Sequence, residues 1–371
     1  MTPPREEMYS RWEKLRAGMR RQQLKGLLVF SSQIKPEPIH YLTNYTLIGE
    51  KAFCLLPPNE DPPVLYISAA WDCARAEKEA RGVDVRIIGK DLHRELAALI
   101  NKYGMPVGMC GEENLPRLDR AALEAELGAE PASGTRLLED AAAIKSTYEL
   151  ALIREASRMA DAGFNSAIAA AREGMADFEL GAEIDYAVRN MGATDNFQML
   201  AVGKGNTGMH LPYGKKLEPG DLLLFEISPA FGSITYSAQL CKTAVLGRIS
   251  SLIEDKYAVL IEALEASLKI IKPGVEMGEV TRVQDEIIGR AGYGEFCRPP
   301  YMQQRGHGFG LGAIKIKADV TRKFEAGMSC VVHPNQFIPE TGYLALGEHV
   351  IVTSEGIERL TLLEPNIYEC A

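Results

Sequence analysis

Short apolar runs separated by charged stretches characterise the first part of the chain. Each run is rich in Val, Leu, Ile or Phe and ends near Gly, Pro or a charged residue, which predicts a strand. The stretches between them have the mixed pattern of amphipathic helices, and this alternation predicts an α/β layer with a parallel or mixed sheet. The predicted strands are GLLVFS at 26–31, AFCLLP at 52–57, PVLYIS at 63–68, DVRIIG at 84–89 and VGMCGE at 107–112.

A long helical pattern opens the second part of the chain. From Ser146 onward, apolar residues recur at three- and four-residue steps, as they do on one face of a helix. Ser146 followed by Glu149 fits a capping box, in which each residue bonds a free backbone N–H of the first turn. A second helix is predicted at about 177–190, with Asp177 as its cap and Gly192 closing it.

Longer strands and further helices follow in separate groups. NFQMLAVG, DLLLFEI and SITYSAQLCKTAVLG predict strands, and helices are predicted at about 251–271 and 276–290. SCVVHP and YLALGEHVIV predict the last strands. Helices and strands in separate runs are typical of an α+β domain. The chain is therefore expected to have an α/β domain over 1–140 and an α+β domain over 141–371.

Composition narrows the class of protein. Of the 371 residues, 46% are hydrophobic and 25% are charged, which is typical of a globular protein. The net charge of -9, with basic residues scattered along the chain, argues against nucleic acid and membrane surfaces as partners. The N-terminal stretch is charged, and no apolar run approaches the ~20 residues that span a bilayer. The seven cysteines include no CxxC pair and are expected to be reduced packing residues, so we expect a cytoplasmic protein.

Three polar residues stand inside apolar strands. Glu226 lies in DLLLFEIS, Glu348 in YLALGEHVIVT and His333 in MSCVVHP. A buried carboxylate must be paired, hydrogen-bonded or bound to a metal ion. The alternatives remain open, because a strand glutamate can face outward at an edge and a strand histidine can be a satisfied structural residue.

Two further histidines lie in glycine-rich segments. RGHGFGLG at 305–312 places glycines on both sides of His307, which allows close approach by substrate or by another strand. A glycine-rich turn with a surface histidine is the alternative. GKGNTGMHLPYG at 203–214 contains G-x-G-x-x-G, but it runs on to Pro212 rather than into a helix, so we reject a nucleotide site and retain His210.

These segments together resemble a known family. The region from Ile144 to the C-terminus is similar to the pita-bread domain of methionine aminopeptidase, aminopeptidase P, prolidase and creatinase. IKSTYELALIREASRMAD, MHLPYGKKLEPGDLLLFE, GHGFG, EAGMSCVVHP and GEHVIVT follow in the family's order. GLLVFS followed by PIHYLTNYT resembles the N-terminal domain that creatinase and prolidase share. The resemblance implies a creatinase/prolidase-type N-terminal domain over 1–140 and a pita-bread domain over 141–371.

The resemblance also implies a set of site positions. Metallopeptidases of this family hold two metal ions with two aspartates, a histidine and two glutamates. The corresponding positions here are Glu226, Gln239, His307, His333 and Glu348. Gln239 is neutral and His333 replaces a carboxylate, so two negative charges are lost. Two adjacent divalent ions need several anionic ligands to offset their repulsion, so we expect no dinuclear centre.

Two hypotheses about the cofactor follow from this set. In the first, which we take as the main one, the site has no metal ion, as in creatinase, and His210 performs the proton chemistry. In the second, His307, His333 and Glu348 bind a single zinc, manganese or iron ion.

The resemblance to creatinase implies a hydrolase that acts on a C–N bond of a small non-peptide substrate, an amidine or an amide. His210 would act as general base and then as general acid, because histidine takes up and releases protons near neutral pH. Glu226 and Glu348 would bind or polarise the substrate, and His307 would donate a hydrogen bond to developing negative charge. These four residues are the predicted catalytic group.

The predicted substrate-binding residues are His333, Gln239, Lys317 and Glu50. Where creatinase has carboxylate-binding arginines, this chain has Glu50 and a lysine near 317, so creatine itself is not expected as the substrate. The resemblance also implies a homodimer in which the partner's N-terminal domain completes the site.

Two other functions are carried as alternatives. The first is a metal-dependent Xaa-Pro dipeptidase or aminopeptidase, which has this two-domain layout. The second is a non-catalytic pita-bread binding module, which usually carries long charged extensions that this chain lacks.

Overall fold

The structure, a computed structural model, describes residues 3–370. It divides the chain into two compact units, of which the first ends at Ala143 and the second begins at Ile144. No helix within residues 3–370 is long and apolar enough to cross a membrane.

The first unit is a mixed sheet flanked by helices. Its strands lie in the order β4-β3-β2-β1-β5-β6, with β1 antiparallel to β2 and parallel to β5. The predicted α/β layer is therefore confirmed, together with its five predicted strands. The strands are β1 (Leu27–Ser32), β2 (Lys51–Leu56), β3 (Val64–Ile67), β4 (Asp84–Ile87), β5 (Gly108–Cys110) and β6 (Ala132–Ser133). The helices are α1 (Arg5–Arg21), α2 (Glu37–Thr43), α3 (Cys73–Glu79), α4 (Leu92–Tyr103), α5 (Arg117–Leu127) and α6 (Thr135–Ala143).

The second unit begins with two helices and then alternates groups of strands with a further helix pair, which confirms the predicted α+β class. The helices are α7 (Thr147–Ala170), α8 (Asp177–Asn190), α9 (Ser251–Ile270) and α10 (Met277–Ile288). The first strands are β7 (Asp195–Gly203), β8 (Leu222–Ala230), β9 (Leu240–Leu246), β10 (Gly306–His307) and β11 (Lys315–Ile316). The others are β12 (Ser329–Val332), β13 (Gln336–Ile338), β14 (Gly342–Leu344), β15 (Glu348–Val352), β16 (Ile357–Arg359) and β17 (Tyr368–Cys370).

The starts of α7 and α8 differ in how well the sequence predicted them. Ser146 accepts the Glu149 N–H at 3.1 Å and Glu149 accepts the Ser146 N–H at 2.8 Å, so the capping box is confirmed. Asp177 is not the cap of α8, since Ala176 occupies that position. The Asp177 carboxylate instead accepts the backbone N–H groups of Tyr213 and Gly214, at 3.0 and 2.8 Å.

Two sheets of the second unit are joined by a bridge between inner strands. One has the order β17-β9-β8-β7 and the other β11-β10-β12-β15-β16. Cys241 of β9 and Gly347, just before β15, exchange both backbone hydrogen bonds, at 3.1 and 2.9 Å. Because directly paired residues share a sheet face, this bridge makes the polar faces of β9 and β15 continuous.

Each face of the first of these sheets has a distinct role. Phe225 and Ile227 of β8 pack with Phe164 of α7 and Ile184 of α8 in a buried apolar cluster. Residues alternate between faces along a strand, so Glu226 points away from these helices. The fold thereby presents the polar residues of β8 and β9 together on the face opposite α7.

Candidate active site

A strip of polar side chains crosses β8 and β9. Glu226 lies opposite Cys241 in the strand register. Ser228 follows Glu226 on the same face, and the Gln239 side chain donates a hydrogen bond to the Ser228 hydroxyl at 3.0 Å. All four residues are buried. Burying a polar group without a partner costs stability, so the hydrogen bonds within this strip offset the cost of removing its polar groups from water.

Two predicted histidines lie together on the neighbouring sheet. His307 of β10 pairs with Val331 of β12, and His333 follows β12 by one residue, which places both imidazoles on one face. Their ring centroids are 5.5 Å apart. A Cβ at Gly306 would lie 2.4 Å from the Val331 carbonyl oxygen, so this glycine permits the close strand contact that the glycine-rich segment suggested.

Gly347 connects the polar strip to the histidines. A Cβ at this residue would lie 2.6 Å from the His333 Cβ and 3.1 Å from the Cys241 sulfur. The strip and the histidine pair are therefore adjacent. We call this surface the site face, and it consists of Glu226, Ser228, Gln239, Cys241, His307 and His333.

Glu348 is not part of the site face. It pairs with Val332 of β12, while His307 and His333 occupy the alternate positions, so its side chain points to the opposite face. Its carboxylate accepts a hydrogen bond from Arg359 at 2.6 Å and lies 3.8 Å from the Lys242 ammonium. The expectation that it clusters with the other predicted site residues is corrected, and its predicted catalytic role has no support from position.

Burial sets the protonation of the site face. It raises the pKa of Glu226 to about 7, against the lowering effect of a hydrogen bond from Asn335. It lowers the pKa of His333 to about 3 and also lowers that of His307. His307 Nδ1 donates to the Gly308 carbonyl at 3.0 Å, so its Nε2 carries a lone pair. Near neutral pH the site face therefore presents neutral imidazoles beside one carboxyl group.

His210 lies on a loop beside β7. Its carbonyl accepts the Leu200 N–H at 3.0 Å, and Leu200 pairs with Phe225, the neighbour of Glu226 on β8. The imidazole is half-buried, and its Nδ1 donates to the Leu211 carbonyl at 2.9 Å. Its Nε2 therefore carries a lone pair and can accept a proton.

Lys317 and Glu50 are the remaining predicted residues. Lys315 is exposed and pairs with His307 across β10 and β11, and Lys317 is half-buried two residues further on. Glu50 is an exposed residue of the first unit, and its neighbour Lys51 forms an ion pair with Asp119 at 2.6 Å. The substrate-binding roles of Lys317, Glu50, Gln239 and His333 remain predictions.

Three residues of this region were missed from sequence. Cys241 was treated as a packing residue because it belongs to no CxxC pair. His349 pairs with Val331 and so lies on the same sheet face as His307. It accepts the Gln239 N–H at 3.1 Å and bonds the Ser329 hydroxyl at 2.7 Å. Asn335 donates to Glu226, and the signal for it was a second polar residue directly after His333-Pro334.

The residues of the site face do not fit a two-ion centre. Glu226 is its only carboxylate, and Gly347 stands where a further carboxylate would face His333. Within residues 3–370, no group of three or more His, Cys, Asp or Glu side chains is arranged to hold a metal ion. The set proposed for a single ion is also not assembled, since Glu348 points away from His307 and His333.

Comparisons with known proteins agree on the family of fold. Residues 151–354 match the sequence model of metallopeptidase family M24, and residues 11–141 match that of the creatinase/prolidase N-terminal domain. The "Putative dipeptidase YkvY" of Bacillus subtilis is 27% identical over 88% of this chain and 91% of its own length. The "Xaa-Pro dipeptidase" of Pyrococcus furiosus is 26% identical over 62% of this chain and 66% of its own length. The structure of an Xaa-Pro dipeptidase from Bacillus anthracis superimposes with a TM-score of 0.85, at 23% identity, over 98% of this chain and 99% of that one.

These comparisons correct two of our expectations. The main prediction of a creatinase-like hydrolase for a non-peptide substrate is wrong, because the similar proteins are named as dipeptidases and prolidases. The expectation of no metal cofactor is also contradicted, because the matching family is one of metallopeptidases. The likeness in structure, at 23% identity, shows the fold alone.

Proposed function

Because this chain is a hydrolase of metallopeptidase family M24 with a creatinase/prolidase N-terminal domain, we propose that it hydrolyses the amide bond of Xaa-Pro dipeptides. The names of its relatives support the substrate class. The observation that carries the proposal is the site face, where one buried carboxyl group lies on the same surface as two neutral imidazoles. A dipeptide offers matching groups, a cationic amine and a scissile amide.

Glu226 is the binding group for the amine of the substrate. It is the only carboxylate of the site face, and an approaching ammonium group favours its charged form. The neutral imidazole of His307 offers a second acceptor through Nε2. A substrate with a free N-terminal amine is therefore preferred over one with a blocked amine.

His210 is the proton carrier of the reaction. Its Nε2 takes a proton from the water that attacks the carbonyl carbon, as the C–O bond forms. The same proton then moves to the proline nitrogen as the C–N bond breaks, so that the amino acid and proline leave as products. This scheme gives the steps that the side chains perform, and the assay with and without added divalent ions decides whether a metal ion takes part.

The test is proline release from Ala-Pro and Leu-Pro by the purified protein. It is run in parallel with added Mn²⁺, Co²⁺ or Zn²⁺ and after treatment with a chelator. His210→Ala and Glu226→Gln should lower kcat/KM by about 100-fold or more. Glu262→Gln, at an exposed position of α9, is the control and should stay within about twofold of the wild type, since surface changes away from a site have small effects. If no condition gives proline release, the proposal is refuted.

We also propose that the protein works as a homodimer in the cytoplasm. A reducing compartment suits the thiols of Cys54, Cys110 and Cys330, which are packed in apolar surroundings. Large apolar side chains beside His210 are exposed, which is typical of an interaction surface.

A further inference from the structure

Asn335 is buried at the centre of the site region. It is 1% exposed and follows His333 by two residues. Its side-chain nitrogen donates to Glu226 Oε1 at 2.8 Å, and its side-chain oxygen accepts the Leu346 N–H at 2.8 Å. A backbone N–H can only donate, so this contact fixes the orientation of the amide and turns its NH₂ group toward Glu226.

The backbone at Asn335 is held by a buried arginine. Arg305 donates to the Asn335 carbonyl at 2.8 Å and to the Gln336 side chain at 2.9 Å. Its Nε donates to the Asp285 carboxylate at 2.8 Å, and its own carbonyl accepts the His333 N–H at 3.0 Å. The segment that carries Asn335 is thus clamped, so the amide has little freedom to move.

The orientation of the Glu226 carboxyl group depends on its hydrogen bond from Asn335. Glu226 is 7% exposed, and Asn335 is the hydrogen-bond partner of its carboxyl group among the described residues. With Oε1 occupied, Oε2 is the oxygen left to meet the substrate. A rotating carboxylate would divide its time between orientations, whereas a held one presents the same oxygen to each substrate molecule.

We infer that Asn335 is a positioning residue that fixes the Glu226 carboxylate for the amine of the substrate. The inference rests on the proposed function for the identity of the substrate. The hydrogen bond between Asn335 and Glu226 does not depend on which substrate the protein binds. Replacing Asn335 should act on substrate binding through Glu226, whereas the loss of its hydrogen bond from the Leu346 N–H is the same whether or not Glu226 is present.

The kinetic test compares Asn335→Ala in two backgrounds. In the wild-type chain it should lower kcat/KM for Ala-Pro by about 10- to 100-fold, mainly through KM, since a hydrogen bond to a charged group is lost. In the Glu226→Gln background the further change should be within about twofold, because the group being positioned is already gone. Gln284→Ala removes another buried amide, which bonds Ser267 between α9 and α10, and controls for the cost of losing one. It should leave KM unchanged.

Equal losses of kcat/KM in both backgrounds, or an unchanged KM in Asn335→Ala, would overturn the inference. A second measurement tests the contact even if no dipeptide is turned over, which would refute the proposed function separately. Asn335→Ala should lower the urea midpoint of unfolding in the wild-type chain, and by about half as much or less in a Glu226→Met background, where the acceptor is already absent. Additive losses of the midpoint would show that the two side chains are not coupled and would also refute the inference.

Discussion

The sequence predicted Glu348 as a site residue, but the residue that faces the other site residues is Gly347, one position earlier. Glu348 was selected because it is a charged residue inside an apolar strand, and that reasoning identified it correctly as buried. That reasoning did not identify the sheet face to which the Glu348 side chain points. Gly347 pairs with Cys241 and contacts His333, so the next residue must point to the opposite side.

The observed environment of Glu348 predicts a structural effect. Glu348 and Lys242 are both fully buried, and Arg359 donates to the same carboxylate. Glu348→Gln should lower the free energy of unfolding by about 3 kcal/mol, because it removes the carboxylate charge that lies 3.8 Å from the buried Lys242 ammonium. Burial already lowers the pKa of Lys242, so part of the cost can be relieved by loss of its proton. The measurement is urea unfolding followed by circular dichroism.

Glu265→Gln is the matched control for this variant. Glu265 contacts Arg359 at 2.8 Å and is 34% exposed, so its replacement should cost under about 1 kcal/mol. A Glu348→Gln protein with wild-type stability and no activity would instead favour the predicted catalytic role.

Among the helices, the start of α7 could be predicted entirely from neighbouring residues in the sequence. Ser146 and Glu149 are three residues apart, and each needs only the backbone of the other. The same reasoning predicted Asp177 as the cap of α8, and that prediction was wrong. Asp177 has the residue type of a cap, but its carboxylate is used by the distant N–H groups of the His210 loop.

The capping box of α7 should contribute measurably to stability. Ser146→Ala removes the acceptor of the Glu149 N–H and should lower the free energy of unfolding by about 1 kcal/mol. Ser250→Ala removes the cap of α9, where the bond to the Ile253 N–H is longer, at 3.3 Å. We expect a smaller loss there. Thermal unfolding monitored by circular dichroism would compare the two, and an equal or larger loss for Ser250→Ala would contradict the reciprocal box.

At the scale of the whole molecule, the order and type of the elements could be predicted and the long-range pairings could not. Alternating apolar runs and helical periodicity depend on neighbours in sequence, so β1 to β5 and α7 were correctly predicted. The site face depends on pairings such as Cys241 with Gly347, which are more than 100 residues apart. Asn335 was missed for the same reason, because its role is defined by Glu226 on another strand.

Exposed apolar side chains on α8 and the His210 loop form the surface on which we base the homodimer. Phe178, Leu211 and Tyr213 are 58%, 60% and 68% exposed. The Asp177 contact with the Tyr213 N–H holds the loop against the start of α8, which brings these side chains near one another. A large exposed apolar patch on a folded chain is more stable when covered, and a second copy would cover it beside His210.

Sedimentation velocity at micromolar concentration should therefore give twice the mass of one chain. The double variant Leu211→Ser/Tyr213→Ser should shift the protein toward the monomer, because it removes apolar area from the contact. Leu362→Ser changes an equally apolar residue, 85% exposed and distant in sequence from the loop, and should leave the mass unchanged. A wild-type protein that sediments as a monomer, or a double variant that remains a dimer, would place any partner contact elsewhere on the molecule.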